Sequence, residues 1–312
     1  TQNGSGAQWE VSRSTDAPDG FAYSTKWDCS TADTSIGAGD YMYITQDLEG
    51  QDVQRFHKGK STAKKFALQF WIKSTITGTY IVNLLDSDNG RLIAKAYTIS
   101  SANTWEKKTM VFDADTTGAF DADNAKSLRV SFWLMAGSDY TSGTLSTTWA
   151  AETSANKAVG QVNAVSSTSN NVFITGVQLE VGDVVTDFEH RTYADELRNC
   201  QRYYYQEAYT GNYESVRYSF VSDGAKQAAQ FVYPVPMRSG PTITSNGAGN
   251  FRVNTYGQGT DETCNGITTK FNSNNMAILE FAKPTSNMSG SNAGVISTEA
   301  QNDAALYFTS EL

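Results

Sequence analysis

The chain contains few of the residues that build disulfide frameworks or metal sites. Among its 312 residues there are three cysteines, Cys29, Cys200 and Cys264, and two histidines, His57 and His190. The number of cysteines is odd and none has the Cys-x-x-Cys spacing, which argues against both a disulfide framework and a zinc site. The cysteines are therefore interpreted as small buried hydrophobic residues in a protein made in a reducing cytoplasm.

Long apolar runs and an excess of positive charge are also missing. No run of about 18 apolar residues occurs, so neither a transmembrane helix nor a membrane partner is expected. The chain opens at Thr1, in a strand-like region without Met or a visible signal peptide, which indicates a trimmed or partial product. Lys and Arg total 24 against 33 Asp and Glu, giving a net charge of −9. Because no basic stripe exists to neutralise phosphates, a nucleic-acid partner is not expected.

The common catalytic and nucleotide-binding motifs are absent as well. The sequence has no GxSxG, HExxH, GxGxxG or P-loop, and two isolated histidines do not support a catalytic triad. A polysaccharide depolymerase needs only two carboxylates. Asp and Glu are plentiful, but no pair stands out. The chain is predicted not to be an enzyme, with depolymerase activity left open.

The residues that are present are typical of a β-rich, turn-rich protein. Hydrophobic residues make up 39% of the chain, below the usual range of about 45–50%. Aromatic residues reach 12%, which argues against disorder. The length predicts about two domains. Residues 8–182 predict about ten short strands, and Asp88-Asn89-Gly90 predicts a hairpin turn. Residues 137–169 are interpreted as a long surface loop, and 207–312 as further strands and turns.

Two predicted strands alternate between apolar and polar positions. In residues 66–73 and 128–135 every second side chain is apolar and is predicted to face a core. The opposite faces carry tryptophans, whose rings can stack on a sugar while polar neighbours hydrogen-bond its hydroxyls. The alternative is that loops or a neighbouring subunit cover these rings. The predicted carbohydrate-binding residues are Trp71, Trp133, Gln69, Lys73, Arg129 and Trp149, with Tyr41 and Tyr43 as weaker candidates.

Aspartates cluster in two turn-like segments. Oxygen ligands at alternate loop positions can hold Ca²⁺. Neither cluster has the full spacing of a known calcium loop, so solvated turn residues are the alternative interpretation. The candidate calcium ligands are Asp113, Asp115, Asp121 and Asp123.

Residues 174–205 predict a closing strand, a linker and one amphipathic helix. Thr192 is the predicted N-cap, followed by acidic residues in the first turn. Leu197, Cys200 and Tyr204 recur at helical spacing and predict one apolar stripe, in a core or a subunit interface. Glu189 and Arg191 are expected to pair locally in an ordered linker, with a pH-sensitive hinge at His190 as the alternative. The predicted interdomain or oligomer contacts are Glu189, Arg191, Leu197 and Tyr204.

Several segments together resemble bacteriophage tail-fibre and other virion structural proteins. They are the strand ITGVQLEVG at 174–182, the junction FEHR at 188–191, and the segments FWIKS at 70–74, ANTWEKKT at 102–109 and PVPMRSGPT at 234–242. The resemblance implies a mainly β fold. A jelly-roll β-sandwich similar to carbohydrate-binding modules would span 1–185, with its first edge strand incomplete. A linker and helix would follow at 186–206, then a smaller C-terminal β-domain at 207–312.

The resemblance also implies a function, and it does not imply catalysis. We expect a virion protein of a tail fibre or spike, assembled in the host cytoplasm and recognising a host-surface glycan through the sandwich. Its other expected partners are virion proteins and two further copies in a homotrimer. Sugar-binding sandwiches often hold a structural calcium, which favours the aspartate site. The alternatives are a purely structural head or tail protein and a polysaccharide depolymerase.

Overall fold

The computed structural model describes residues 1–4, 6–256, 261–288, 292–300 and 303–312. Strands account for 47% of the chain and helices for 9%, which confirms the mainly β fold. The chain divides into a first unit, Thr1–Glu189, and a second unit, His190–Glu311. The division lies inside the segment interpreted as a linker, 186–206, and the helix belongs to the second unit.

The first unit is a sandwich of two antiparallel sheets. Its strands are β1 (Gln2–Asn3), β2 (Gln8–Ser14), β3 (Ser24–Thr31), β4 (Tyr41–Glu49), β5 (Phe66–Ser74), β6 (Gly78–Asp86), β7 (Arg91–Ile99), β8 (Glu106–Phe112), β9 (Lys126–Ala136), β10 (Ala150–Ala151) and β11 (Asn171–Val181). One sheet has the order β1-β4-β9-β6-β7-β10 and the other β2-β3-β11-β5-β8. The chain crosses repeatedly between the sheets, as in a jelly roll.

The core of the first unit lies between the two sheets. The apolar sides of β5 and β9 face each other there, as their alternation predicts; Phe70 and Phe132 meet with ring centroids 4.9 Å apart. Full burial of each such side chain contributes roughly 1.5–3 kcal/mol. The predicted turn at 88–90 joins β6 to β7, and Gly90 has the positive φ of 59° that such a turn requires.

The segment 137–169 is more structured than a surface loop. It contains a short helix α2 (Ser138–Thr141), strand β10 and a 3₁₀ turn at Ser154–Asn156. Its Ala158, Ala164 and Val165 are fully buried, so the prediction of an exposed loop was wrong. The apolar residues of this segment are small and do not recur every two or 3.6 positions, so the sequence shows no amphipathic pattern. They nevertheless pack closely in the structure. The remaining helix of the first unit, α1, spans Gly50–Val53 and continues into a 3₁₀ turn at Gln54–Phe56.

The second unit contains the helix α3 (Tyr193–Gln201) and two further antiparallel sheets. Its strands are β12 (Tyr204–Tyr209), β13 (Ser215–Asp223), β14 (Lys226–Val232), β15 (Thr242–Ser245), β16 (Phe251–Thr255), β17 (Glu262–Thr263), β18 (Gly266–Asn272), β19 (Met276–Ala282), β20 (Ala293–Thr298) and β21 (Ala304–Thr309), with a 3₁₀ turn at Ala248–Asn250. The sheets have the orders β12-β21-β15 and β17-β16-β20-β13-β14-β19-β18. Phe231, Phe281 and Phe308 are central to its core.

The predicted helical stripe does not form. Thr192 caps α3 as predicted, because its side chain accepts a hydrogen bond from the Asp195 N–H at 3.2 Å. The helix ends at Gln201, however, and Tyr204 lies in β12. Leu197 is 41% exposed, and none of the residues of α3 is buried. Three residues at helical spacing are thus insufficient evidence of a stripe when the chain changes from helix to strand between them.

Two smaller predictions also change. Arg191 lies 3.8 Å from the carboxylate of Glu196 rather than pairing with Glu189, whose backbone N–H donates to the side chain of Gln178. Cys29 and Cys264 are buried free thiols, as interpreted, whereas Cys200 is exposed on α3. None of the described helices is long and apolar enough to cross a membrane.

Candidate ligand-binding site

A pocket of about 170 Å³ opens on the outer face of the six-stranded sheet of the first unit. Strands β4, β9, β6 and β7 form its floor, and the segment 140–157 supplies one wall. Cross-strand register places the floor residues on one side, since Tyr43 pairs with Trp133 and Asn83 with Ser131. The lining residues are Tyr41, Tyr43, Asn83, Leu85, Leu92, Arg129, Ser131, Trp133, Tyr140, Glu152, Ser154 and Lys157.

Four aromatic rings cluster in the pocket. Tyr41 and Tyr43 stack with centroids 5.1 Å apart, because residues two apart on a strand share a face. Trp133 lies 4.9 Å from Tyr43 and 5.6 Å from Tyr140. Burial raises the pKa of Tyr43, and the neighbouring Tyr41 raises it further. The Tyr43 hydroxyl therefore stays protonated near neutral pH and can donate a hydrogen bond.

Trp133 combines burial with an unused hydrogen-bond donor. Its side chain is 2% exposed, and within the described part of the chain its indole N–H has no hydrogen-bond partner. The indole N–H can only donate, and leaving such a group unpaired costs roughly 1–3 kcal/mol. A ligand oxygen that reached this N–H would remove that cost.

The charged residues of the pocket are paired. Arg129 donates two parallel hydrogen bonds to Asp47, at 2.7 Å from Nε and 2.9 Å from Nη2. These bonds raise the pKa of Arg129. Lys157 forms an ion pair with Glu152 across the wall. The charges therefore balance, so the pocket offers hydrogen-bonding groups without a strong net field.

The predicted carbohydrate-binding residues do not form one site. Trp133 and Arg129 line the pocket, whereas Trp71, Gln69 and Lys73 lie on β5 in the other sheet. Period-two alternation correctly placed both tryptophans on outer faces. It carried no information on which sheet each strand joins, and the two outer faces point away from each other.

On the five-stranded sheet, Gln69 and Lys73 use their donor groups within the protein, while Gln69 Oε1 is buried without a partner among the described residues. Gln69 is 1% exposed and donates to the backbone carbonyl of Thr186 at 2.9 Å. Lys73 forms an ion pair with Asp16, and its ammonium lies 4.5 Å from the ring centroid of Phe173. Asp16 also accepts a hydrogen bond from the Trp105 indole at 2.9 Å. The donor groups of Gln69, Lys73 and Trp105 are therefore already paired within the protein.

Trp149 contributes to the packing around the core rather than to the pocket lining. Its indole N–H donates to the backbone carbonyl of Asp113 at 2.7 Å, and its ring lies 5.7 Å from that of Phe66. Sequence reasoning missed Asn83, Tyr140, Glu152 and Lys157 as pocket residues. Three of the four come from the irregular segment 137–169, where no periodic signal indicates a direction for the side chains.

The four candidate calcium ligands do not converge. Asp115 is bound by Arg91 and Lys58, Asp123 accepts the backbone N–H of Ala125, and the backbone N–H of Asp121 donates to Asp88. Asp113 lies 3.7 Å from Lys65. Over the residues that the structure describes, no three His, Cys, Asp or Glu side chains gather where they could hold a metal ion. The predicted ligand set therefore does not fit calcium.

No protein-family model and no curated protein sequence matches the chain. Among solved structures, it is similar to the enzymatically active domain of tailspike protein 4 of bacteriophage CBA120, at 16% identity and a TM-score of 0.33, over 58% of this chain and 19% of that one. It is also similar to the family 11 carbohydrate-binding module of the Clostridium thermocellum cellulase Lic26A-Cel5E, at 14% identity and a TM-score of 0.29, over 59% of this chain and 87% of that one.

A third similar structure is the CBM22-1-CBM22-2 tandem domain of Paenibacillus barcinonensis Xyn10C, at 12% identity and a TM-score of 0.30, over 99% of this chain and 93% of that one. TM-scores this low carry no argument about ligand or activity. The chain spans about a fifth of the length of the tailspike structure, at 19%.

Proposed function

We propose that the first unit binds a carbohydrate in the pocket on its six-stranded sheet. The observation that carries the proposal is Trp133, whose buried indole N–H lacks a partner in the described structure at the centre of an aromatic cluster. Aromatic rings stack on the C–H faces of sugars, and hydroxyl groups accept hydrogen bonds from indole and tyrosine donors. A sugar supplies both the apolar face and the oxygen that this pocket lacks.

The proposed role is recognition of a host-surface glycan by a phage virion protein, in a tail fibre or spike assembled in the host cytoplasm. This part of the proposal is supported by the sequence resemblance at 70–74, 102–109, 174–191 and 234–242. A single small pocket binds weakly, so a homotrimer would supply avidity by presenting three sites on one particle. Other virion proteins would be its remaining partners.

We further propose that the pocket binds without cleaving. Hydrolysis of a glycosidic bond requires two carboxyl groups flanking that bond. Of the residues that line the pocket, Glu152 is the carboxylate, and it is paired with Lys157. A depolymerase would need a second acidic group within reach of the same sugar.

A structural role in virion assembly is the second candidate function. The observation favouring it lies on β13 and β14 of the second unit, where Tyr218 is 82% exposed, Phe220 54% and Val232 61%. Large apolar side chains gathered on one sheet face are commonly covered by a partner. Sedimentation of the purified chain would show whether copies of it associate.

The test of glycan binding is a bacterial glycan array, followed by titration calorimetry with the best glycan. Trp133→Phe keeps one aromatic ring but removes the N–H donor together with the rest of the pyrrole ring, so affinity should fall by roughly 2- to 10-fold. Trp71→Phe, on the other sheet, is the matched control and should bind as the unsubstituted chain does. A silent array, or equal binding by both variants, would contradict the proposal and favour the structural role.

A further inference from the structure

A buried lysine is enclosed by oxygen atoms beside the predicted calcium segment. The side chain of Lys58 is 0% exposed, and that of Asp86 also 0%. The Lys58 ammonium lies 2.5 Å from Asp86 Oδ2 and 3.1 Å from Asp115 Oδ2. It donates to the backbone carbonyls of Thr117 and Gly118, each at 2.8 Å. We call these four oxygens and the ammonium the Lys58 cage.

The Lys58 cage has the chemistry of a calcium site. Carboxylate and backbone carbonyl oxygens converging on one point are what Ca²⁺ selects in proteins. The carboxylates are also held from outside: Asp86 Oδ1 accepts the backbone N–H groups of Asp88 and Asn89. Arg91 donates from Nη2 to Asp115 Oδ1 and from Nε to Asp115 Oδ2, the oxygen that also faces Lys58. The oxygens are therefore held in place around a cation that the chain itself provides.

The polypeptide around the cage allows little room for rearrangement. Gly59 follows Lys58 with a φ of 78°, and a Cβ at this position would come within 2.4 Å of the Ala119 backbone nitrogen. The rings of Phe120 and Trp149 lie 5.4 and 5.2 Å from the ammonium, close enough for cation–π attraction. The Lys58 ammonium thus contacts four oxygen atoms and two aromatic rings.

We propose that the Lys58 ammonium replaces a structural calcium ion, and that removing its side chain turns the cage into a Ca²⁺ site. The ammonium neutralises Asp86 and Asp115 and ties down the carbonyls of 117–118, which is what a bound Ca²⁺ would do. The unsubstituted chain then needs no calcium at the Lys58 cage.

The cage also connects to the wall of the pocket. Arg91, which binds Asp115, donates to the backbone carbonyl of Trp149 at 3.3 Å, and the backbone N–H of Glu152 donates to the backbone carbonyl of Gly90 at 2.8 Å. The internal cation therefore supports the segment from which Glu152 enters the pocket. This link is a consequence of the proposal, and the test below does not depend on glycan binding.

The test uses the full chain and compares Lys58→Ser with Lys58→Met. Both should lower the melting temperature by roughly 10 °C, since each leaves the buried Asp86 without its cation and Asp115 with Arg91 alone. Millimolar Ca²⁺ should restore most of the loss in Lys58→Ser, whose short side chain leaves space for the ion. It should not restore Lys58→Met, whose side chain still fills the cage. The unsubstituted chain should melt at one temperature in Ca²⁺ and in chelator.

Terbium luminescence provides a direct reading of metal binding. Tb³⁺ occupies oxygen-ligand sites like those of Ca²⁺, and the nearby Trp149 can excite it. Luminescence should appear in Lys58→Ser and be absent from Lys58→Met and the unsubstituted chain. Two results would overturn the proposal. One is a folded Lys58→Ser variant that shows neither stabilisation by Ca²⁺ nor Tb³⁺ luminescence, and the other is an unsubstituted chain that Ca²⁺ stabilises.

A further variant covers the case in which Lys58→Ser does not fold. Adding Asp86→Asn to Lys58→Met removes a buried carboxylate that has lost its cation, so the double variant should melt higher than Lys58→Met alone. If it melts lower, Asp86 is not held by the charge of Lys58 and the proposal fails.

Discussion

The two outer faces of the first unit carry matching tryptophans with different surroundings. Trp71 lies on the five-stranded sheet, where Asp16, Lys73 and Trp105 are joined by hydrogen bonds and a cation–π contact. Trp133 lies on the six-stranded sheet, in a pocket where its N–H has no partner among the described residues. Similar strand patterns thus leave different groups unpaired among the described residues: the acceptor Gln69 Oε1 on the face with Trp71, and the donor N–H of Trp133 on the other. The difference lies in the segments that cover each sheet.

The largest expected effect comes from removing the Trp133 ring on the six-stranded sheet. Trp133→Ala should destabilise the first unit by about 3–5 kcal/mol, because a fully buried large side chain leaves a cavity. The substitution therefore tests stability, whereas Trp133→Phe tests binding. Chemical denaturation measures the loss.

Trp71→Ala is the matching substitution on the five-stranded sheet. Trp71 is only partly buried, so its truncation should cost less than that of Trp133, about 1–3 kcal/mol. Equal costs for the two substitutions would show that the faces do not differ in how tightly their tryptophans are packed.

A smaller effect is expected from the charge pair beside the pocket. Arg129→Met removes both donors to Asp47, whose side chain is 9% exposed, so about 1–3 kcal/mol of stability should be lost with an unpaired carboxylate. Replacing both partners, with Asp47→Leu added, should recover part of this loss. A double-mutant cycle by denaturation measures the coupling, and a coupling energy near zero would contradict the assigned pair.

The smallest expected effect is a pH response of Asp16, confined to the five-stranded sheet. Hydrogen bonds from Lys73 and then Trp105 lower the pKa of Asp16 below its usual 3.8. A carboxyl whose pKa is depressed on folding stabilises the fold above its unfolded pKa and loses this contribution as the pH falls through the folded value. The indole signal of Trp105 should therefore change below about pH 4, while that of Trp133 should not. NMR titration of the indole N–H groups can follow both.

Much of the first unit was predictable from the sequence because its strands alternate. The apolar sides of β5 and β9 and the turn at 88–90 follow from local rules of pleating and turn chemistry. In the second unit, the cap at Thr192 follows from the rules of helix capping in the same way. Alternation also assigned Trp71 and Trp133 to outer faces. It could not show that they belong to different sheets, since strand order depends on long-range pairing.

The covering segments could not be predicted for a physical reason. Tyr140, Glu152 and Lys157 reach the pocket from backbone that is neither helix nor strand over most of its length, so the sequence has no period from which to infer direction. Lys58 was missed because a single lysine in a turn is ordinarily solvated. Its burial depends on Asp86 and Asp115, which are 28 and 57 positions away, as given by their sequence numbers.

The most direct test of the account is the indole N–H signal of Trp133 in the NMR spectrum of the chain during titration with the best glycan from the array. The chain has six tryptophans, and the spectrum of Trp133→Phe identifies the signal in question. The account predicts that the Trp133 signal moves with increasing glycan as its N–H gains an acceptor, while the Trp71 signal stays in place. A glycan that binds without moving the Trp133 signal would contradict the assignment of the pocket as the binding site.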